Sequence, residues 1–145
     1  MNIKRIHEVA EFLAEDIAYI LNLELLGSGN YRCALKLDKI HCIKLSIEEE
    51  YEYMNRKETE LLKHLKKVNK ELIKFLIPVE AYTKKLNIMP IAEKVVGNIP
   101  RIFKNEVFKL FEKSNIFLVD ITKDKNWGIY NGHPLLLDYA DWYKI

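Results

Sequence analysis

Two apolar runs near the C-terminus end on the same residue type. Ile116-Phe-Leu-Val119 delivers Asp120, and Leu135-Leu-Leu137 delivers Asp138. Between them lie a polar loop with Lys123, Asp124 and Asn126, and an Asn131-Gly132 pair that specifies a tight two-residue hairpin. Carboxylate, amide and carboxylate at strand and loop edges are hard oxygen ligands, suited to a divalent cation and the phosphate oxygens that accompany it. A chain built around this stretch needs a second half that supplies a cation and a backbone surface for phosphate.

Composition permits such a fold. A chain of 145 residues is expected to form one domain, and with 49% hydrophobic and 30% charged residues it can bury a core. A net charge of +2 does not argue for nucleic acid, which is not expected as a partner. The basic cluster from Lys63 to Lys70 reads as the solvated face of a helix. No apolar run approaches the roughly 18 residues of a membrane span, so no membrane partner is expected. The N-terminus does not read as a signal peptide, and Cys33 and Cys42 lack metal spacing. A reducing, cytoplasmic location is therefore expected, the host cytoplasm if a phage encodes the chain.

The hydrophobic pattern predicts an α+β order. Ile6, Val9, Leu13, Ile17 and Ile20 predict an amphipathic helix over Ile3–Leu21. A short strand at Leu23–Leu26 is broken by Gly27-Ser28-Gly29-Asn30. Two strands, Tyr31–Leu37 and Ile40–Leu45, follow around Asp38-Lys39. If Ala34 and Cys42 share a sheet face, Cys33 and Cys42 point apart and no disulfide joins them. Glu48–Val68 is the strongest helix. It carries Glu58 on the stripe with Met54, Leu61, Leu62 and Leu65, and Glu60 on the wet side. Leu76–Tyr82 and Leu86–Ile91 predict a second hairpin, with Pro90 ending the hydrogen bonding there or placing the strand at an edge. Asn105 is placed to cap a helix over Glu106–Lys113. The Asp141-to-Ile145 tail, rich in aromatics, is expected to pack on that helix.

Gly27-Ser28-Gly29 lies between strands, so it is neither a dinucleotide fingerprint nor a P-loop. A glycine turn between antiparallel strands can lay N–H groups over phosphates. Lys44, flanked by Ile43 and Leu45, is partly buried and needs an anion. Glu58, 14 residues on and set on an apolar helix stripe, is the natural partner.

At this point the chain resembles the protein-kinase-like superfamily, from about Leu26 to Asp138. Leu26-Gly27-Ser28-Gly29-Asn30-Tyr31-Arg32-Cys33-Ala34 is similar to the glycine-rich loop, and His41-Cys42-Ile43-Lys44 to the V-A-I-K strand. Asn55-Arg-Lys-Glu58 resembles the helix segment that orients the lysine. Ile88-Met89-Pro90-Ile91-Ala92-Glu93 falls at the inter-lobe hinge, Asn126 at the catalytic-loop asparagine, and Asp138-Tyr139-Ala140 at D-F-G. Small kinase-like proteins of phages and bacteria are similar in Arg32, Asn55, Glu58, Trp127, Gly128 and Tyr139 as well.

The resemblance implies a minimal kinase-like α+β fold: an N-terminal amphipathic helix (1–22), an N-lobe-like antiparallel sheet with an αC-like helix (23–92) and a strongly truncated C-lobe (93–145). It implies ATP and Mg²⁺ as ligands. Gly27, Ser28, Gly29, Ala34, Cys42, Met89 and Ile91 would face the nucleotide, with Met89 as gatekeeper and Ile91 to Ala92 at the adenine edge. Arg32, in place of the third glycine, could bind phosphate directly. Lys44 and Glu58 would position phosphates, Asn126 and Asp138 would hold the metal, and Asp120 would be the base.

Three departures shape the functional expectation. The H-R-D triplet is Leu118-Val119-Asp120. Asp120 and Asn126 are six residues apart where kinases use five, which keeps Asp124 as a second candidate base and leaves open a site with none. The chain ends at Ile145, seven residues after Asp138, without the activation segment. Three readings follow: a minimal ATP-dependent phosphotransferase, a pseudokinase binding module that modulates a host protein without phosphotransfer, or an unrelated small interaction domain. Oligomeric state and acceptor are not readable.

Overall fold

The alternating patterns of the N-terminal half become an antiparallel sheet in the computed structural model, which describes residues 3–145. The chain divides into two compact units. One comprises Met1–Thr59 with Pro78–Ile91, the other Glu60–Ile77 with Ala92–Ile145.

In the first unit, the helix expected over Ile3–Leu21 is two helices, α1 (Ile3–Glu15) and α2 (Ile17–Leu21). Asp16 causes the break. Its carboxylate accepts from the Tyr19 amide at 3.1 Å and caps α2, an alternative to continuing the helical ladder. The apolar phase survives the break, so Ile6, Leu13 and Ile20 are all buried.

Five strands follow: β1 (Leu25–Ser28), β2 (Arg32–Lys36), β3 (His41–Ser46), β4 (Ala81–Tyr82) and β5 (Leu86–Pro90), ordered β1-β2-β3-β5-β4 and all antiparallel. Gly27 and Ser28 do not break β1. They pair with Ala34 and Cys33, and the turn comes after them. Between β2 and β3, Asp38 Oδ1 accepts from the amides of Ile40 (2.9 Å) and His41 (2.7 Å), an Asx turn that fixes the hairpin. Helix α3 (Tyr53–Val68) begins later than Glu48, after a 3₁₀ turn at Glu49–Tyr51.

Register sorts the side chains into two faces. Ala34, Lys44 and Asn87 form one cross-strand row, and Lys36, Cys42 and Met89 the next on the same face. Leu35, Ile43 and Ile88, with Cys33, Leu45 and Leu86, form the other. That second face packs on Ile6, Ala10, Leu13 and Ile20 to make the unit's core. Each fully buried Leu or Ile there contributes roughly 1.5–3 kcal/mol. Cys33 and Cys42 lie on opposite faces, and both are free thiols.

In the second unit, a 3₁₀ helix at Lys70–Phe75, capped by Asn69, follows α3. Next come β6 (Glu93–Lys94), α4 (Arg101–Lys113), β7 (Ile116–Leu118), β8 (Trp127–Tyr130), β9 (His133–Leu136) and β10 (Trp142–Lys144). Strands β6, β8 and β9 form one sheet, and β7 pairs with β10. The strand expected over Leu76–Tyr82 shrinks to β4, because Leu76 bridges Leu136 and the Ile77 amide donates to the Leu136 carbonyl at 2.9 Å. Helix α4 starts five residues before Glu106. Lys104, Val107 and Phe111 are its buried stripe, and Asn105 is an exposed interior residue, not a cap. The tail also differs from expectation: it becomes β10 on β7, with Trp142 stacked on His64 (6.0 Å) and Tyr143 on Phe117 (5.0 Å). The Asn131-Gly132 turn joins β8 to β9 with φ of 51° and 78°, a type I′ turn. No helix among the described residues is long and apolar enough to cross a membrane.

Candidate functional site

In the first unit the polar groups converge on one carboxylate. Glu58, fully buried on α3, accepts from Lys44 Nζ through Oε2 (2.9 Å) and from Arg32 Nη1 through Oε1 (2.6 Å). Asn87 Nδ2 donates to Oε1 as well (3.2 Å). Burial alone would raise the Glu58 carboxyl; the charges of Lys44 and Arg32, with their hydrogen bonds, overcome it and hold the group at about 2. Asn55, one turn before Glu58, accepts from Arg32 Nη1 (3.2 Å) and donates to Ser46 Oγ (2.8 Å) and the Lys84 carbonyl (3.0 Å).

Arg32 is thus placed differently from expectation. Its guanidinium is directed to Glu58 and Asn55, with a side chain only 4% exposed, and is not laid out for phosphate. Asn87 was not singled out in the sequence. Its signal was an amide inside the apolar run Leu86-Asn87-Ile88, directly across from Lys44.

Ala34, Lys44, Cys42 and Met89 share the sheet face opposite the apolar core. Burial pushes the Cys42 thiol up to about 11, so it behaves as a small apolar residue. Gly27 sits beside this row on β1, across from Ala34, whereas Ser28 is across from Cys33 of the other face, and the Gly29 amide closes a tight turn onto the Arg32 carbonyl (2.9 Å). A Cβ on Gly27 would meet nothing within 4 Å, and one on Gly29 only the Arg32 carbonyl at 3.6 Å; neither has positive φ. The Ile91 amide donates to the Ile40 carbonyl at 2.8 Å.

In the second unit, Asn126 is buried and donates through Nδ2 to the Asp120 carbonyl (3.1 Å). The Leu137 amide donates to the Asn126 carbonyl (2.7 Å), which brings Asn126 and Asp138 to the same end of the β8–β9 hairpin. Asp120 Oδ1 is 2.8 Å from Lys123 Nζ, and that hydrogen bond raises the lysine above its usual range. Asp124 is committed elsewhere: Lys104 Nζ, on the buried face of α4, bonds Asp124 Oδ1 (2.6 Å) and the Thr122 carbonyl (3.0 Å). Trp127 Nε1 donates to the Ile121 carbonyl (2.8 Å), and Tyr139 Oη to the Ile77 carbonyl (2.6 Å). Gly128 is required by packing, since a Cβ would fall 2.9 Å from both Ala92 Cβ and Leu137 Cδ1.

An amide oxygen and a carboxylate suit Mg²⁺, which takes few protein ligands and completes its shell with phosphate and water. Among the described residues no group of three His, Cys, Asp or Glu side chains could hold a metal ion.

These elements define a protein-kinase-like fold, and solved structures agree. The streptomycin–ATP ternary complex of APH(2″)-IIa is similar with a TM-score of 0.57 and 13% identity, over 94% of this chain and 72% of that one. ADP-bound aminoglycoside phosphotransferase APH(2″)-Ib gives 0.57 and 15%, over 94% and 71%. The gentamicin complex of APH(2″)-IIa gives 0.54 and 15%, over 93% and 70%. At these identities the likeness is one of fold. No protein-family model and no curated protein sequence matches the chain.

Proposed function

We propose that this chain is an ATP-dependent phosphotransferase. The observation that carries the reading is the Lys44–Glu58 pair, with Lys44 across from Ala34, beside Gly27 in β1 and Gly29 in the turn after it, two glycines at which a Cβ would meet no close contact. Side-chain-free backbone of that kind suits close approach of phosphate. In this reading Lys44 steadies the α- and β-phosphates, Met89 and Cys42 line the base-binding face, and Asp120 orients the acceptor hydroxyl. Asn126 and Asp138 hold Mg²⁺, which neutralises charge on the transferring group. Asp120 is preferred to Asp124 because Lys104, on the buried face of α4, holds Asp124 Oδ1 in a contact that ties the loop to the helix. Two of the similar structures are complexes with streptomycin and gentamicin, which makes an aminoglycoside hydroxyl the first small-molecule acceptor to test.

One observation favours the alternative, a nucleotide-binding pseudokinase that acts on a host protein of a phage or bacterium. Asp120 Oδ1 is ion-paired to Lys123, so the lysine occupies one of the two oxygens that an acceptor hydroxyl would approach. Thermal melting with and without Mg·ATP, in the wild type, Lys44→Ala and Asp138→Ala, tests nucleotide binding. Transfer from γ-labelled ATP to aminoglycosides, to the chain itself or to host lysate then separates the readings. Stabilisation with transfer supports the phosphotransferase. Stabilisation without transfer supports the pseudokinase. A melting temperature indifferent to Mg·ATP removes both.

A further inference from the structure

Lys44 and Arg32 are both cationic partners of Glu58, and they are not equivalent. Lys44 reaches Oε2 at 2.9 Å with a side chain 12% exposed; Arg32 reaches Oε1 at 2.6 Å with one 4% exposed. A guanidinium is a rigid fork, always charged, whereas an ammonium on a four-carbon stem moves freely. Arg32 Nη1 also bonds Asn55, one helical turn before Glu58 on the same face of α3. Asn55 in turn bonds Ser46 Oγ at the end of β3 and the Lys84 carbonyl in the β4–β5 turn. Asn87 closes the cluster from β5, donating to Glu58 and to the Asn55 carbonyl (3.2 Å). Four of these bonds, two through Arg32 and two through Asn87, tie α3 to the sheet without involving Lys44.

We infer that Arg32 is a positioning residue that anchors Glu58, and with it the start of α3, independently of Lys44. The ammonium can then turn towards a phosphate ligand without releasing the helix, and the carboxylate waits in place when no ligand is bound. The ligand side of this inference rests on the proposed phosphotransferase reading; the anchoring side does not.

Carboxyl-carbon NMR of ¹³C-labelled Glu58, titrated from pH 2 to 7 with melting temperatures measured in parallel and no nucleotide present, tests the anchor. Lys44, Arg32 and Asn87 bond Glu58 directly in this titration, and Asn55 bonds Arg32 beside it. Lys44→Met is expected to melt within about 2 °C of wild type, with the Glu58 carboxyl still titrating below its usual 4.5. Arg32→Lys is expected to melt lower than Lys44→Met and to bring the Glu58 titration upward. Arg32→Met is expected to melt lower still or not to fold. A Lys44→Met chain that unfolds, or whose Glu58 titrates at or above 4.5, overturns the inference; so does an Arg32→Lys chain indistinguishable from wild type. An absence of Mg·ATP stabilisation in the wild type would remove the ligand role alone and leave these outcomes decisive for the anchor.

Discussion

The side-chain amide of Asn126 donates to the main-chain carbonyl of Asp120 across 3.1 Å. Their separation of six residues is one more than the kinase spacing, yet the loop closes on itself. The Lys123 and Asn126 amides bond the carbonyls of Asp120 and Lys123 in successive tight turns that take up the extra residue. If Asp120 is the base, Asp120→Asn should cut phosphoryl transfer at least about 100-fold while Mg·ATP still raises the melting temperature. Asp124→Asn should instead cost about 1–2 kcal/mol of stability by weakening the charged bond to Lys104, with transfer nearly intact. Paired transfer and melting assays of the two variants check both outcomes.

Glu58 sets an acid limit on stability. Its carboxyl is held at about 2 against a usual 4.5, so its contribution is complete above about 4.5 and is lost as pH falls towards 2. The gap corresponds to about 3 kcal/mol. Urea unfolding at pH 7 and pH 3 should show about 2 kcal/mol of this loss, and Glu58→Gln should flatten the acid limb. That variant should also cost roughly 3–5 kcal/mol at pH 7, because two cations lose a shared buried anion.

Gly128→Ala tests packing alone. The added methyl meets Ala92 and Leu137 at 2.9 Å and the Glu93 carbonyl at 3.2 Å. Overpacking of this kind should destabilise the chain by about 1–3 kcal/mol, read as a lower urea midpoint with an unchanged slope.

The thiols should report folding. Burial raises both Cys33 and Cys42, the latter to about 11. At pH 8, iodoacetamide should label half-buried Cys33 slowly and Cys42 only on unfolding, as followed by intact-mass spectrometry.

Much of this was readable because the signals were local. Asn131-Gly132 named its own turn, period-two alternation placed Lys44 opposite Ile43, and the helical stripe set Glu58 apart from Glu60. The break at Asp16 was hidden because Ile17 and Ile20 stay in phase with α1 across it. Asn105 attracted the helix start because its residue type suits a cap, while the stripe from Lys104 to Phe111 already ran through it. Strand β10 depends on pairing with β7, more than twenty residues away, and three residues carry too little pattern to announce that. Arg32 was assigned by its position in a loop; its partners lie 23 and 26 residues on, where only tertiary structure brings them.

The Asp38 turn carries a further consequence. Strands β2 and β3 meet in a strict one-to-one register from Arg32–Ser46 to Lys36–Cys42. Removing one residue between Asp38 and Ile40 would slide β3 by a single step, exchange Ile43 with Lys44, and drive an ammonium into the apolar layer beneath α1. Loop length in that hairpin is therefore a constraint on chemistry: sequence can drift at Lys39, but the count of residues cannot.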